Sequence, residues 1–366
     1  MEANHLQDSW QFIGVINNYI IGDAHRASPI TNTTLKLKVY TMKKILTIVI
    51  AFLLGYSHLS AQQDAEYSMY MFNGLYLNPA YAGSQDVIST TALYRHQWVG
   101  IEGAPRSGSV AIHSPFRRDQ YAIGGVFSFD KLGLDQTYSF YLDYAYRLRF
   151  KKGLRLSFGI QAGGQYYKNN LTEASLNTSD LSFANNRSLF LPNVGFGVYL
   201  YNKKFYIGAS APHVLNMSLG EGWSNAADRT TVARLYNHYL ITAGVVIGKE
   251  EAIVKFKPST LIKVVKGAPI SMDVTASFLF VNRFWLGASY RLGIGKNSNK
   301  KMVSRGNRIV GLTEFKITPQ FRIGYAYDYE FDVSKGYQKG THEVMLGYEF
   351  GFDKTRFVTP RYVTYF

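Results

Sequence analysis

Histidine and serine side chains are the first candidates for chemistry in this chain, which contains eight histidines and no cysteine. The histidines are scattered, without a His-x-x-x-His pair and without an acidic residue at metal-ligand spacing. Neither a Gly-x-Ser-x-Gly elbow nor a phosphate-binding glycine loop is present. His113 with Ser114, and His238, remain as candidates for a hydrolase built on a membrane barrel. The pattern favours a protein that is not an enzyme, and it predicts no metal site and no cofactor.

Four acidic residues near the C-terminus form a second candidate set. They are Asp328, Glu330, Glu343 and Glu349. In alternating strands they share one face, and closure of the sheet would bring Arg95 and Gln97 of the first strand beside them. We interpret this set as a network of ion pairs that braces a polar interior. The alternative is a polar seat for the N-terminal segment 62–84 or for a peptide of a partner.

The elements that position these residues are strands. From Gln85 onward, apolar and polar residues alternate with a period of two. In residues 136–150 one face is aromatic and aliphatic, whereas the other carries Ser139, Asp143 and Arg147. A soluble sandwich would have to bury such apolar faces against each other, whereas a membrane barrel turns them to lipid and keeps a polar interior. No apolar run after the export signal is long enough for a transmembrane helix.

Fourteen alternating segments can be counted, and an even number is typical of bacterial single-chain barrels. They are 86–98, 107–114, 121–131, 136–150, 153–167, 190–202, 204–213, 238–249, 252–264, 269–281, 283–293, 306–317, 319–331 and 340–352. The predicted fold class is therefore all-β, a transmembrane antiparallel β-barrel of outer-membrane type with about fourteen strands. The barrel is expected to span 85–353, followed by a C-terminal tail, 354–366.

The connections between these segments are unequal. Those after even-numbered segments are short and polar, whereas three after odd-numbered segments are long: 168–189, 214–237 and 294–305. Periplasmic turns and extracellular loops differ in this way in outer-membrane barrels. The asymmetry predicts an integral outer-membrane protein with extracellular long loops and both mature termini in the periplasm.

Composition supports a membrane setting. Aromatic residues at strand ends, such as Trp98, Tyr121, Trp285 and Tyr348, predict girdles at the lipid interfaces. The formal net charge is +15, but lysine and arginine recur at turns and loops. This distribution favours outer-membrane lipids, rather than nucleic acid, as the anionic counterpart.

The N-terminus carries an export signal. Met42-Lys43-Lys44 precedes a short apolar run, and Ser60-Ala61 offers a small-residue cleavage site, so 42–61 is interpreted as a signal peptide. Residues 1–41 do not fit a signal peptide, and we interpret them as a mis-called upstream leader with Met42 as the initiator. The mature chain would begin near Gln62, with 62–84 as a periplasmic N-terminal segment.

A motif follows the signal. Asn78-Pro79-Ala80-Tyr81-Ala82-Gly83 precedes Arg95-His96-Gln97-Trp98 and Gly103-Ala104-Pro105. In this order the motif closely resembles the PorP/SprF family, outer-membrane proteins of the type IX secretion and gliding machinery of Bacteroidetes. The resemblance covers essentially the whole mature chain.

The resemblance implies a component of type IX secretion that assists the export or surface anchoring of a partner. The implied partners are a secreted adhesin-like protein with a C-terminal sorting domain and periplasmic or outer-membrane lipoproteins of the machinery. The motif residues Asn78, Pro79, Tyr81, Arg95 and Trp98, among others, would then pack as a plug or dock a partner. A solute porin is the main alternative, and a barrel-type lipid-modifying enzyme is the lesser one.

Overall fold

The structure, a computed structural model, describes residues 66–116, 120–170, 172, 186–215, 237–249, 251–265, 268–296, 302–331 and 339–350. Within these residues fourteen antiparallel strands pair with their sequence neighbours, and β1 pairs with β14 to close a barrel. The strands are β1 (Ile88–His96), β2 (Arg106–Phe116), β3 (Tyr121–Leu132), β4 (Asp135–Arg149), β5 (Arg155–Asn169), β6 (Arg187–Tyr201), β7 (Phe205–Ala211), β8 (His238–Val245), β9 (Val254–Val265), β10 (Ile270–Phe280), β11 (Phe284–Lys296), β12 (Met302–Lys316), β13 (Phe321–Glu330) and β14 (Thr341–Phe350). The predicted fold class and strand count are confirmed.

Alternation along each strand separates an apolar outer face from a largely polar interior. On β4, Phe140 and Leu142 are more than half exposed, whereas Asp143 and Arg147, on the opposite face, are buried. Exposed aliphatic and aromatic side chains recur in this way on every strand, as expected for a surface that faces lipid. Among the described residues, no helix is both long enough and apolar enough to cross a membrane.

The barrel has two ends, which differ in their connections. We call the end where β1 begins and β14 ends the turn end, and the opposite end the loop end. Short connections join β4 to β5 and β6 to β7 at the turn end, and the former contains a short 3-10 helix, Lys151–Gly153. At the loop end, β11 and β12 extend to Lys296 and Met302, which pair with each other. Most residues of the predicted long loop 294–305 therefore belong to the strands β11 and β12.

Several sequence predictions lie outside the described residues. These are the leader 1–41, the signal peptide 42–61, the tail 354–366 and most of the loops 168–189 and 214–237.

The described part of the N-terminal segment lies inside the barrel. It contains a 3-10 helix (Tyr70–Phe72), a short α-helix, α1 (Gly74–Leu77), and a second 3-10 helix (Pro79–Tyr81). We call residues 66–86 the plug. Its hydrogen bonds and ion pairs reach β1, β2, β4–β7 and β9–β14, so it contacts strands on all sides of the lumen.

The plug also explains apolar residues on the inner face of the barrel. Met69, Tyr70 and Phe72 cluster with inward side chains that would otherwise interrupt a polar lumen. These partners include Leu93, Leu240, Leu279, Leu312 and Met345. Trp285 belongs to the same cluster, so its predicted position in a lipid-interface girdle is wrong. Alternation places Trp285 inward, between the outward Phe284 and Leu286.

Candidate functional site

Asn78 joins the plug to the barrel wall. Its side-chain oxygen accepts a hydrogen bond from the Ala80 amide at 2.9 Å and so caps the 3-10 helix that Pro79 begins. The side-chain amide of Asn78 donates to the carbonyl oxygen of Val198 on β6, at 3.0 Å. One residue therefore satisfies a local helix end and fixes that helix to a strand. Proline suits the first position of this helix because it has no amide hydrogen to satisfy.

Glycines in the barrel wall make room for this part of the plug. A Cβ atom added to Gly159 would lie 2.2 Å from the Ala80 amide nitrogen, and one added to Gly197 would lie 2.0 Å from the Asn78 side-chain oxygen. Neither distance is compatible with a side chain at the glycine. The backbone of the plug at Pro79 and Ala80 therefore lies directly against β5, and the Asn78 side chain lies directly against β6.

The end of the motif is held at the turn end of the barrel. The Tyr81 ring is buried and meets the His113 ring edge-on, with 5.5 Å between ring centroids. Gly83 has a φ of +69°, and an added Cβ would lie 2.6 Å from the Ala122 side chain. The Gly83 amide donates to Nδ1 of His113 at 3.1 Å, and the Gly83 carbonyl accepts from the Arg147 guanidinium. Glycine is therefore required here by both conformation and space.

Arg95 is at the centre of a buried charge cluster at the loop end. Its guanidinium lies 2.6 Å from an Asp328 oxygen and 3.0 Å from a Glu343 oxygen, and all three side chains are at most 2% exposed. Glu343 also accepts hydrogen bonds from the backbone amides of Ser68 and Met69, at 2.7 and 2.8 Å. The Ser68 hydroxyl donates to Asp328 and accepts from Arg95. The cluster thus ties the plug to the seam between β1 and β14.

A second charge cluster surrounds Glu66. The Glu66 carboxylate lies 2.6 Å from Nζ of Lys263, 3.3 Å from Arg291 and 3.2 Å from Arg308. Burial alone would raise the pKa of Glu66, but these three cations hold the pKa of the carboxyl well below its usual value. Arg291 also forms two bonds to Asp273, its direct neighbour across β10 and β11. The first described residue of the plug is therefore anchored as a carboxylate.

The residues after Arg95 continue the seam beyond the strand. Trp98 has a φ of +49°, its amide donates to the Thr341 hydroxyl, and its indole N–H donates to Glu330 at 2.9 Å. The Gln97 amide donates to the Pro105 carbonyl, and the Gly103 carbonyl accepts from the Gly133 amide. These contacts hold the β1–β2 connection against its neighbours at the loop end.

A cavity of about 220 Å³ remains open at the loop end, and Glu66 and Tyr67 of the plug border it. Tyr70, Tyr76 and Leu77 of the plug also line it. The barrel contributes aromatic and apolar side chains, Tyr141, Tyr167, Leu191, Leu240 and Leu261. It also contributes three carboxylates, Asp130, Asp135 and Asp273, the last of which is paired with Arg291. The lining is more apolar than polar, as is usual for a binding pocket.

The structure brings together some of the predicted site residues and separates others. Arg95, Asp328 and Glu343 meet directly, and Glu330 is joined to them through Arg308, which lies 3.4 Å from Glu330. Glu349 is buried near the turn end of β14, opposite Ser89, away from this cluster. Sequence reasoning missed Glu66, Lys263, Asp273, Arg291 and Arg308. The inward positions of alternating strands could have indicated the last four of these.

The structure bears on two further predictions, one about the N-terminal segment and one about the hydrolase candidates. Residues 62–84 are predicted to be a periplasmic N-terminal segment, with a seat in the polar interior as the alternative. The described part, 66–84, lies in the lumen. Its first residue, Glu66, is at the loop end, because its partner Lys263 is close to the loop-end terminus of β9. The hydrolase candidates His113 and Ser114 point to opposite faces of β2 because neighbouring strand residues alternate.

A closed antiparallel barrel with an apolar outer face and a polar, occupied interior defines an outer-membrane β-barrel protein. The family model described as "Type IX secretion system membrane protein PorP/SprF" matches residues 59–348. The chain therefore belongs to the PorP/SprF family and is a membrane component of type IX secretion.

Solved structures of other barrels are similar at low identity. Salmonella typhi OmpF, in complex with daunomycin, is 13% identical, with a TM-score of 0.36, over 72% of this chain and 97% of that one. A Pseudomonas aeruginosa FadL homologue is 11% identical, with a TM-score of 0.42, over 75% and 93% of the two chains. With TM-scores below 0.5, these similarities add nothing to what the closed sheet itself shows. A search of curated proteins finds no significant match.

Proposed function

We propose that this protein docks a peptide segment of an exported protein at the loop end of its barrel, and so assists the export or surface anchoring of that partner. The observation that carries the proposal is that the plug fills the lumen while a cavity stays open at the loop end. A partner can enter such a cavity from one side only. The barrel then acts as a receptor and not as a passage.

The chemistry of the cavity suits a peptide with an apolar or aromatic side chain beside a basic one. Tyr67, Tyr76, Tyr141 and Tyr167 offer aromatic surface, and Asp130 and Asp135 provide negative charge. Tyrosine contributes large apolar area together with a hydrogen-bonding group, which favours it at binding surfaces.

The proposed orientation follows from the connections. Long loops face outward in outer-membrane barrels, so the loop end would face the cell surface and the exported partner. The turn end would then face the periplasm and the lipoprotein components of the secretion machinery. The secreted partner with a C-terminal sorting domain remains the expected cargo.

Filling the cavity tests this function. Gln165 lines the cavity from β5, whereas Ile160 on the same strand is exposed on the outer face. In a strain lacking the gene, one or a few secreted proteins should be lost from the cell surface, as measured by protease shaving of intact cells. A Gln165→Trp variant should reproduce this loss at normal barrel abundance, and the matched Ile160→Trp variant should not. Unchanged surface display in the deletion strain would contradict the proposal.

The alternative of a solute porin makes the opposite prediction in a planar bilayer. With the plug in place, the purified barrel should give no stable conductance, because a continuous water path is required for one. Deleting residues 66–84 should open the lumen. A stable open pore in the intact protein would favour the porin.

A further inference from the structure

We infer that the chain ahead of the plug leaves the barrel at the loop end, so that the mature N-terminus lies on the same side of the membrane as the long loops. The inference concerns the direction in which the plug runs through the lumen. It differs from the sequence expectation that both mature termini are periplasmic. Which side is the cell surface rests on the proposed function.

The beginning of the plug is fixed at the loop end by independent contacts. Glu66 binds Lys263, two positions before the end of β9 at Val265. Ser68 binds Asp328 and Glu343, which lie where β13 ends and β14 begins. The ends of three strands, β9, β13 and β14, therefore place residues 66–68 at the loop end of the barrel.

The end of the plug is fixed at the opposite, turn end. Asp86 lies 2.5 Å from Arg155, the first residue of β5, and 3.4 Å from Arg147, two positions before the end of β4. β1 then begins at Ile88, also at the turn end. The plug thus runs through the lumen from the loop end to the turn end.

The surroundings of Glu66 indicate where the preceding chain can go. Toward the turn end, the space around the plug is filled by buried side chains such as Arg147, Tyr199 and Lys257. The open space beside Glu66 and Tyr67 is the cavity at the loop end. A chain that precedes Glu66 has room in that direction.

The distance from Glu66 to the mature N-terminus is short. If the signal is removed before Gln62, four residues precede Glu66, and at about 3.6 Å per extended residue they span at most about 14 Å. The mature N-terminus is then held beside the mouth of the cavity. A protein that docks in the cavity would meet it there.

Single engineered cysteines test the direction, because the chain contains no cysteine of its own. The test position is Asp64→Cys, which leaves the Glu66 ion pairs intact, with Gln63→Cys as a second variant should the first not fold. Glu102→Cys marks the exposed β1–β2 connection at the loop end, and Lys151→Cys marks the exposed β4–β5 turn at the turn end. Intact cells are treated with a membrane-impermeant maleimide, and labelling of the folded barrel is normalised to labelling after denaturation.

We expect Asp64→Cys to label to the same extent as Glu102→Cys on intact cells, while Lys151→Cys is protected until the outer membrane is opened. The inference would be overturned if Asp64→Cys labels under the same conditions as Lys151→Cys. It would also be overturned if Asp64→Cys labels only after denaturation. If Lys151→Cys labels on intact cells and Asp64→Cys and Glu102→Cys do not, the orientation in the proposed function fails, but the direction of the plug is supported.

Discussion

Replacing Arg95 by methionine should strongly destabilise the barrel. Arg95 is 1% exposed, and its guanidinium contacts Asp328 at 2.6 Å, Glu343 at 3.0 Å and the Ser68 hydroxyl at 2.9 Å. Methionine fills much of the same volume but leaves two buried carboxylates without their central cation. Breaking a buried ion pair by removing one partner costs about 3–5 kcal/mol, because the remaining charge is uncompensated. We expect a loss of unfolding free energy of about that size.

Urea unfolding of the purified barrel in detergent micelles, followed by tryptophan fluorescence, measures this loss. The matched control is Arg106→Met, at an exposed arginine on β2, which should change stability by no more than about 0.5 kcal/mol. Adding Asp328→Asn to the Arg95→Met variant should recover part of the loss, because one uncompensated charge is removed. The two changes are then coupled in a double-mutant cycle.

The reasoning is refuted if Arg95→Met is no less stable than the Arg106→Met control. It is also refuted if Asp328→Asn adds its full cost on top of Arg95→Met, since the two side chains would then contribute independently. A related readout is the plug itself. Loss of Arg95 should make residues 66–72 more susceptible to protease than in the wild-type barrel, because Ser68 and Met69 bind the same cluster.

Two further predictions concern the anchoring of the plug. Because the pKa of Glu66 is lowered in the folded state, its stabilising contribution should be fully present above the unfolded pKa of about 4.3 and lost as the pH falls through the lower folded pKa. The difference in unfolding free energy between wild type and Glu66→Gln should therefore be largest near neutral pH and shrink in acid. A difference that is constant with pH would contradict this. A Gly159→Val substitution should lower the free energy of unfolding by about 1–3 kcal/mol, because the valine side chain would collide with the Ala80 backbone. The control in the same urea titration is Gly311→Val, where an added Cβ meets nothing within 4 Å.

The motif that marks the family is explained here by packing. Asn78 caps a helix and binds β6, Tyr81 packs against His113, and Gly83 fits a space that excludes a side chain. Trp98 fastens the β1–β2 connection to β13. We therefore expect substitutions in the motif to affect barrel stability before they affect the recognition of a partner.

The barrel and its seam could be predicted from the sequence because strand alternation is a local property. A period of two places Phe140 outward and Asp143 inward without reference to any other strand. Antiparallel closure then pairs the first strand with the last, so the proximity of Arg95 to Asp328 and Glu343 could be predicted as well. Trp285 shows the limit of residue type, since a tryptophan near a strand end suggests a lipid-interface girdle, whereas its alternation with the outward Phe284 and Leu286 places it inward.

The plug could not be predicted in the same way, since residues 66–86 lack a strong period. Inward apolar residues such as Leu279 and Met345, and the inward Gly159, fit a filled lumen once the structure shows them against the plug. The sequence left open whether the segment 62–84 or a peptide of a partner fills it, and it did not indicate the direction in which the segment runs. Residue type and spacing thus determined by themselves the strand faces, the closure and the family. The path of the N-terminal segment was decided only by tertiary contacts, such as Glu66 with Lys263 and Asp86 with Arg155, because these join residues far apart in the chain.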